Sequence, residues 1–464
     1  MAATSAKSES MGKLEKTLLP IAQKVGKNKY LLTLRDSFAM IMPLLIIGSM
    51  FTLVASFPIP AWTSFLTATK IGDYTLSSLL AVPANCTVGL MAVFVAYNIG
   101  YNMAGYDGLE DKNSAGIASL ASWFILMPLI TKYTPTGTTD VYDVSSIPLS
   151  WVGARGVFVA IVMGIITTKI YGWFVKRDIT IKMPEGVPPT VARAFSALIP
   201  MAVTFFCVWV LRVIFVFTPW EDFFTFIYSI LQAPLQSLSG TVWAQAIVYL
   251  FAHLLWFLGI HGTNITGSIY DPILIALSAE NQAAVAAGQA PVNIINYQFE
   301  TLFATMGGAG SALSLVIGAM MVCKSERIRK LCKLSFAPCI FEINEPIIFG
   351  LPIVMNPVLF IPFLGVPLVN IILTYLVMAA GLVPISNGVM LPWTTPPILS
   401  GFLSCGWQGA VWQVILLIIG TAIYIPFLKT LDKEYLDEEH EAAEAETKSE
   451  LDDIDLDSID IDSL

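Results

Sequence analysis

Histidine and charge are the scarcest features of this sequence. Its 464 residues hold three histidines, and Asp, Glu, Lys and Arg make up 13% against 56% hydrophobic residues, roughly half the charged share of a soluble domain. With a mean hydropathy of +0.72, this excludes an ordinary water-soluble globule. The six cysteines (Cys86, Cys207, Cys323, Cys332, Cys339 and Cys405) form no Cys-x-x-Cys pair and mostly sit in or beside apolar runs. Buried reduced thiols are therefore expected, not a disulfide framework or a zinc site. No phosphate loop ending in Gly-Lys-Ser/Thr, no His-Glu-x-x-His and no Gly-x-Ser-x-Gly occurs, which argues against an ATP motor, a metalloprotease and a serine hydrolase. No metal, cofactor or nucleic-acid partner is expected, so energy must come from a gradient or a partner protein. A secretory signal is also lacking, because the first thirty residues are polar and lysine-rich and the first sustained apolar run starts near Phe38.

The acidity is local. Residues 432–464 carry 15 Asp/Glu and 2 Lys, a net of -13 against a total of -9, which leaves the other 431 residues at +4. A like-charge block of this kind reads as a disordered tail. Lys13, Lys16, Lys24, Lys27, Lys29 and Arg35 precede the first apolar run, which places the N-terminus in the cytoplasm by the positive-inside rule. The clusters Lys169, Lys176, Arg177, Lys182, Arg193 and Lys324, Arg327, Arg329, Lys330, Lys333 mark two more cytoplasmic connections, and residues 131–148 read as external. An even number of crossings would then put the C-terminus in the cytoplasm as well.

A bilayer span needs about 20 apolar residues. Such runs lie near 37–57, 76–104, 115–131, 151–175, 191–217, 241–260, 302–323, 352–380 and 408–428, while shorter stretches broken by proline and glycine lie near 262–280, 338–351 and 391–405. Non-helical backbone at membrane depth is tolerated only where protein buries it or where it lines a wet cavity, so the short stretches read as re-entrant hairpins around a binding site. The expected fold is an all-α polytopic membrane protein with about ten transmembrane helices plus hairpins. Its expected parts are a cytoplasmic segment 1–36, an N-terminal membrane domain 37–218, an amphipathic linker helix 219–240, a C-terminal substrate-binding domain 241–431 and the acidic tail 432–464. In the linker, Phe223, Phe224, Ile227, Ile230 and Leu231 fall at helical spacing. Gly156, Ala160, Gly164 and Thr168 form a small-residue stripe that suits either a dimer contact or packing within one chain.

Ionisable residues in apolar surroundings are functional candidates by default. His261 stands in FLGIHGTNITG, where Gly259, Gly262 and Asn264 can interrupt a helix, whereas His253 in a helical run reads as a packed residue. Glu300 lies just ahead of a glycine-rich span, and Glu342, Asn344 and Glu345 lie in FEINEPIIFGLPIVMNP, where Pro346, Gly350, Pro352 and Pro357 forbid one continuous helix. Such a set suits a sugar, whose hydroxyls need planar donors and acceptors and whose C–H faces need an aromatic ring such as Trp393, near Asn387, Thr394 and Thr395. The competing structural readings are a helix-capping carboxylate for Glu345, an interfacial belt residue for Trp393, and snorkelling or capping for Arg155.

These stretches carry a resemblance. FEINEPIIFGLPIVMNPVLFIPF at 341–363, with FLGIHGTN, LPWTTPP and the basic loop before MPEGVPPTVARAFSALIP, resembles the membrane component, enzyme IIC, of a bacterial sugar phosphotransferase system, in the lactose/cellobiose/diacetylchitobiose family. The resemblance covers about residues 12–430. It implies a homodimer in the plasma membrane, with a C-terminal half that binds one disaccharide and crosses the membrane as an elevator-like unit. It also implies a cytoplasmic IIB partner that phosphorylates the sugar, with IIA, HPr and enzyme I upstream. On this resemblance His261 and Glu345 stand beside the hydroxyl to be phosphorylated, Asn344 binds sugar next to them, Trp393 lines the pocket, and Glu300 and Asn264 complete the binding set. Only 34 residues follow Thr430, none of them cysteine, so the IIB is expected as a separate protein. Cellobiose-type β-glucosides are then favoured over lactose, with diacetylchitobiose a close alternative. Two readings from other classes compete: an ion-coupled sugar transporter, and a receptor or assembly protein whose acidic tail recruits partners.

Overall fold

Backbone polar groups that face hydrocarbon must find partners inside their own segment, which leaves helices as the building unit for this composition. The computed structural model of the chain describes residues 20, 24, 27–55, 57, 59–135, 138–351 and 353–452, and they are mostly helical. Most of the expected cytoplasmic segment 1–36 and the end of the acidic tail lie outside the described residues. Among the described residues seven helical segments are long and apolar enough to cross a bilayer, and an eighth is added if Phe223–Ser239 and Val242–Phe257, bent by 76°, form one broken span.

The N-terminal half packs α1 (Lys29–Ala55), α2 (Leu76–Asn85), α3 (Met91–Tyr106), α4 (Lys112–Leu126), α5 (Val157–Lys176) and α6 (Pro189–Val216), with an antiparallel hairpin of β1 (Ile130–Tyr133) and β2 (Tyr142–Ser145) between α4 and α5. Thr131 pairs with Val144 in that hairpin. Small residues let the helices close on one another. A Cβ on Gly164 would lie 2.4 Å from Ile99 and one on Gly100 would lie 2.5 Å from Ser119. The small-residue stripe therefore packs α5 on α3 within one chain. At one end of this bundle Asp107 accepts hydrogen bonds from Lys29 at 2.8 Å and Lys169 at 2.5 Å, so part of the basic cluster ties helices together. Burial opposes ionisation of Asp107, but the bonds from Lys169 and Lys29 outweigh it and hold the carboxyl below its ordinary range.

The joint is less regular than the spacing suggests. It runs as a short helix Phe223–Ile227, a π-helical turn Tyr228–Gln232 and a helix Ala233–Ser239. Phe224 packs between Trp123 and Trp151 at 5.3 and 5.4 Å, while Ile230 is exposed. The guanidinium of Arg155 sits 5.3 Å from the Tyr228 ring centroid.

The C-terminal half contains α7 (Val242–Phe257), α8 (Gly262–Ala286), α9 (Ala312–Val322), α10 (Glu326–Ile340), α11 (Glu345–Gly350), α12 (Phe360–Ala379) and α13 (Leu399–Asp452), the last made of two helices joined by a kink at Gly406, φ 71°. One expectation is corrected here. Residues 262–280 belong to the 25-residue helix α8, which absorbs Pro272, and do not form a broken hairpin. The run 302–323 falls within the candidate span Tyr297–Val322 but is irregular: a π-helical turn Glu300–Ala304 leads into a loop in which Gly307, Gly308 and Gly310 have φ of 81°, 86° and 71°, and α9 starts only afterwards.

The beginning of the expected disordered tail is folded. Helix α13 continues past residue 432, and Asp432 accepts the Lys324 and Ser325 amides at 2.8–2.9 Å. Glu439 accepts from the Ser325 hydroxyl at 2.7 Å and the Arg327 amide at 3.1 Å. Two carboxylates thus meet the unsatisfied amides and the positive dipole end of α10. The cysteines are all unpaired; Cys323, Cys332, Cys339 and Cys405 are buried, whereas Cys86 and Cys207 are exposed, contrary to the expectation for those two.

The halves meet where α8 crosses α1. There the Gln282 amide donates to Thr52 Oγ1 at 2.7 Å and accepts from Ser49 at 3.2 Å.

Candidate functional site

Four segments of the C-terminal half, each interrupted for a reason visible in the sequence, converge on one cavity. Helix α7 ends at Phe257, Gly259 turns the chain with φ 80°, and His261 becomes the N-cap of α8. The tight turn brings Gly262 against the backbone of α7, where a Cβ would lie 1.8 Å from the Ala252 carbonyl oxygen. The His261 ring stacks near Trp256, with centroids 4.2 Å apart, and its Nδ1 accepts the Asn264 amide at 3.4 Å. With Nδ1 used as acceptor, a neutral imidazole carries its proton on Nε2 and offers a donor.

The second segment is the π-helical turn that starts at Glu300, a buried residue whose backbone carbonyl accepts a hydrogen bond from Tyr249 at 3.4 Å. The glycine loop follows it, and the third segment is the stretch 341–345 between α10 and α11. Asn344 is 4% exposed, and its amide donates to the Ala309 carbonyl at 3.4 Å. A Cβ on Gly308 would lie 2.6 Å from the Asn344 side chain, so only glycine lets that side chain lie this close to the loop backbone. Glu345 follows as the first residue of α11, exposed and near enough to His261 for their charges to interact. The fourth segment is the irregular stretch between α12 and α13 that presents Trp393, 54% exposed.

The cavity measures about 400 Å³, within the range of small-molecule sites. His261, Asn264, Glu300, Glu342, Asn344, Glu345 and Trp393, all singled out in the sequence, line it. His253 does not; it is buried in α7 with Nδ1 bonded to the Tyr249 carbonyl at 2.8 Å. Asn387 is also outside, with its amide on the Leu403 carbonyl at 3.0 Å.

Sequence reasoning missed several lining residues. Asp271 stands in the wall and interacts electrostatically with Glu300. Its signal was present, a carboxylate inside an apolar helix, but the misreading of 262–280 as a hairpin hid it. Tyr249, Trp256, Tyr297 and Thr305 also line the cavity; nothing in local spacing distinguishes them from packing residues. Chemically, the site places an imidazole donor and several carboxylates beside a carboxamide and exposed indole. That combination can bind polyhydroxylated ligands and move a proton from a hydroxyl.

Comparison with known proteins agrees with this chemistry. The family described as Phosphotransferase system, EIIC matches residues 35–367. The chain is 38% identical over 428 residues to the lichenan permease IIC component of Bacillus subtilis (strain 168), covering 92% of this chain and 94% of that protein. It is 40% identical over 427 residues to the cellobiose-specific EIIC component of Geobacillus stearothermophilus, covering 91% and 94%. Among solved structures, the transporter ChbC, the IIC component from the N,N'-diacetylchitobiose-specific phosphotransferase system, superposes with a TM-score of 0.87 at 38% identity, covering 92% of this chain and 99% of that one.

Proposed function

The chain belongs to the phosphotransferase-system EIIC family and is a multi-pass membrane sugar permease, and on that premise we propose that it carries a β-linked disaccharide of the cellobiose type inward while a separate phospho-IIB phosphorylates the C6 hydroxyl. The observation that carries this reading is the convergence of Glu345, His261 and Asn344 on one cavity. In the proposed reaction the C6 hydroxyl attacks the phosphorus of a phosphocysteine on IIB, the P–S bond breaks, and Glu345 accepts the hydroxyl proton. The His261 Nε2–H orients that hydroxyl or stabilises charge on the transferring phosphoryl group. Asn344, Asn264 and Glu300 hold ring hydroxyls, and Trp393 covers an apolar sugar face. The phosphate then traps the product inside.

Alternating access follows as an elevator-type motion of residues 241–431 against a dimerised N-terminal half, with both termini cytoplasmic. The hydrogen bonds of Gln282 to Ser49 and Thr52 would break in that motion. IIB docks on the cytoplasmic face near Lys324–Lys333 and Lys169–Arg193. Several of these bases already have partners within the chain, as Lys330 does with Glu326 at 2.7 Å and Arg177 with the Trp173 ring at 3.9 Å.

The test is radiolabelled cellobiose with purified protein in vesicles, with and without phosphorylated cellobiose IIB, scoring bound sugar and sugar 6-phosphate separately. Ester that forms only with IIB, on the IIB side, is expected. Binding without ester would redirect the search to lactose, diacetylchitobiose or another partner. Gradient-driven accumulation of unmodified sugar would replace the mechanism with ion-coupled transport.

A further inference from the structure

Glu342 occupies a backbone position that does not suit it. Helix α10 ends with the Glu342 amide bonded to the Cys339 carbonyl at 3.2 Å and the Ile343 amide bonded to the Pro338 carbonyl at 3.1 Å, the paired bonds of a Schellman cap. Glu342 is the left-handed residue of that cap, with φ 65°. Glycine is the usual occupant there because any Cβ crowds the backbone. Glu342 borders the cavity and Glu345, three residues on, lines it too, so this cap sets the direction in which the Asn344–Glu345 turn leaves α10.

The side chain shows what the strained backbone supports. Glu342 Oε2 accepts the Gly308 amide at 2.6 Å, a short bond. The glycine loop must find outside partners for its polar groups because it is not helical. Asn370 supplies one to the Ala304 carbonyl at 3.3 Å, Tyr424 one to the Gly310 carbonyl at 2.6 Å, and Glu342 satisfies Gly308. The first two come from the surrounding helices α12 and α13. The Glu342 bond, with the longer one from the Asn344 amide to the Ala309 carbonyl at 3.4 Å, joins the loop that follows Glu300 directly to the turn that carries Asn344 and Glu345.

We propose that Glu342 is a positioning residue that clamps the Gly308 loop to the Asn344–Glu345 turn, so that the two halves of the sugar site keep one spacing. The proposal rests on the group-translocation reading for its catalytic consequence, but the clamp itself does not. Glycine at this position suits the cap better than glutamate, so in E342G relief of the strained cap offsets the loss of the Gly308 partner.

The experiment compares wild type, E342G and E342Q in lipid nanodiscs by amide hydrogen exchange over 305–311, thermal unfolding, cellobiose affinity and phospho-IIB-dependent ester formation. In E342G, exchange at Gly308 should rise about tenfold or more as the acceptor is lost, with an unfolding temperature close to wild type because relief at the cap offsets the lost bond. Ester formation should fall about tenfold to a hundredfold, as expected when reacting groups are displaced by an ångström or so, while cellobiose affinity stays within about threefold. E342Q keeps an acceptor oxygen and should recover most of both losses. Unchanged exchange in E342G overturns the clamp. Affinity that falls in step with rate overturns positioning in favour of direct sugar contact, and a lowered unfolding temperature with no recovery in E342Q reduces Glu342 to a structural role. If wild type forms no ester, the cellobiose-type reading fails, and the exchange data still decide the clamp.

Discussion

Gly164 in the N-terminal half and Gly308 in the C-terminal half both stand where a side chain would collide, at 2.4 Å from Ile99 and 2.6 Å from Asn344, yet they solve different problems. Gly164 lies inside the continuous helix α5, and its missing side chain lets two self-satisfied helices pack closely. Gly308 lies where helical geometry has been abandoned at φ 86°, and its missing side chain makes room for the Asn344 side chain against the irregular backbone. The N-terminal half therefore behaves as a packed scaffold. The C-terminal half accepts broken helices, whose freed amides and carbonyls must be matched from elsewhere, and gains a cavity lined by carboxylates.

The comparison can be broken most severely at the proposed reacting group. Glu345→Gln should lower ester formation by about a hundredfold to ten-thousandfold, the usual worth of a general base, with sugar binding little changed; transfer at the normal rate would remove Glu345 from that role. A scaffold lesson should look different. Gly164→Ala should lower stability by about 1–3 kcal/mol through overpacking, measured by thermal unfolding, while sugar affinity in the folded fraction stays near wild type. Gly308→Ala should do the reverse and abolish high-affinity binding. Equal effects of the two on affinity would erase the distinction between halves.

Between the halves, Gln282→Leu removes the bonds to Ser49 and Thr52 and should shift the balance of conformations by up to about tenfold, near 1.4 kcal/mol. Accessibility labelling of both membrane faces would read it, and an unaltered labelling pattern would show that this contact does not bias the conformation. At the cytoplasmic end, deletion from residue 442 should leave uptake and stability unchanged. Deletion from residue 436 removes the Glu439 cap on α10 and should cost about 1 kcal/mol, with most uptake retained. The smallest effect belongs to Asp107. Because its folded carboxyl titrates below the ordinary value of 3.8, its contribution is complete above that value and is lost as pH falls through the lower folded one. With Lys29 and Lys169 43% and 35% exposed, Asp107→Asn should cost below about 1 kcal/mol at neutral pH, and less as the medium is acidified.

Much of the molecule was legible from the chain alone. Scarce charge and long apolar runs determine a helical membrane protein, because no other composition leaves the bilayer core tolerable. The prolines of FEINEPIIFGLPIVMNP and the glycines around His261 mark where helices must stop, and ionisable residues beside those stops mark the candidate site. What composition could not reveal is which apolar run is truly continuous. Residues 262–286 hold together as one helix despite Pro272, while the more hydrophobic stretch around Gly307, Gly308 and Gly310 comes apart. That outcome depends on partners far away in sequence: Tyr424 bonds Gly310 across 114 positions and Asn370 bonds Ala304 across 66. A hydropathy window sums side chains locally, whereas the cost of a broken helix is settled by whichever distant donor or acceptor the tertiary structure brings to it. For the same reason Asp271, Glu342 and Asp432 acquire their surroundings only in the folded chain.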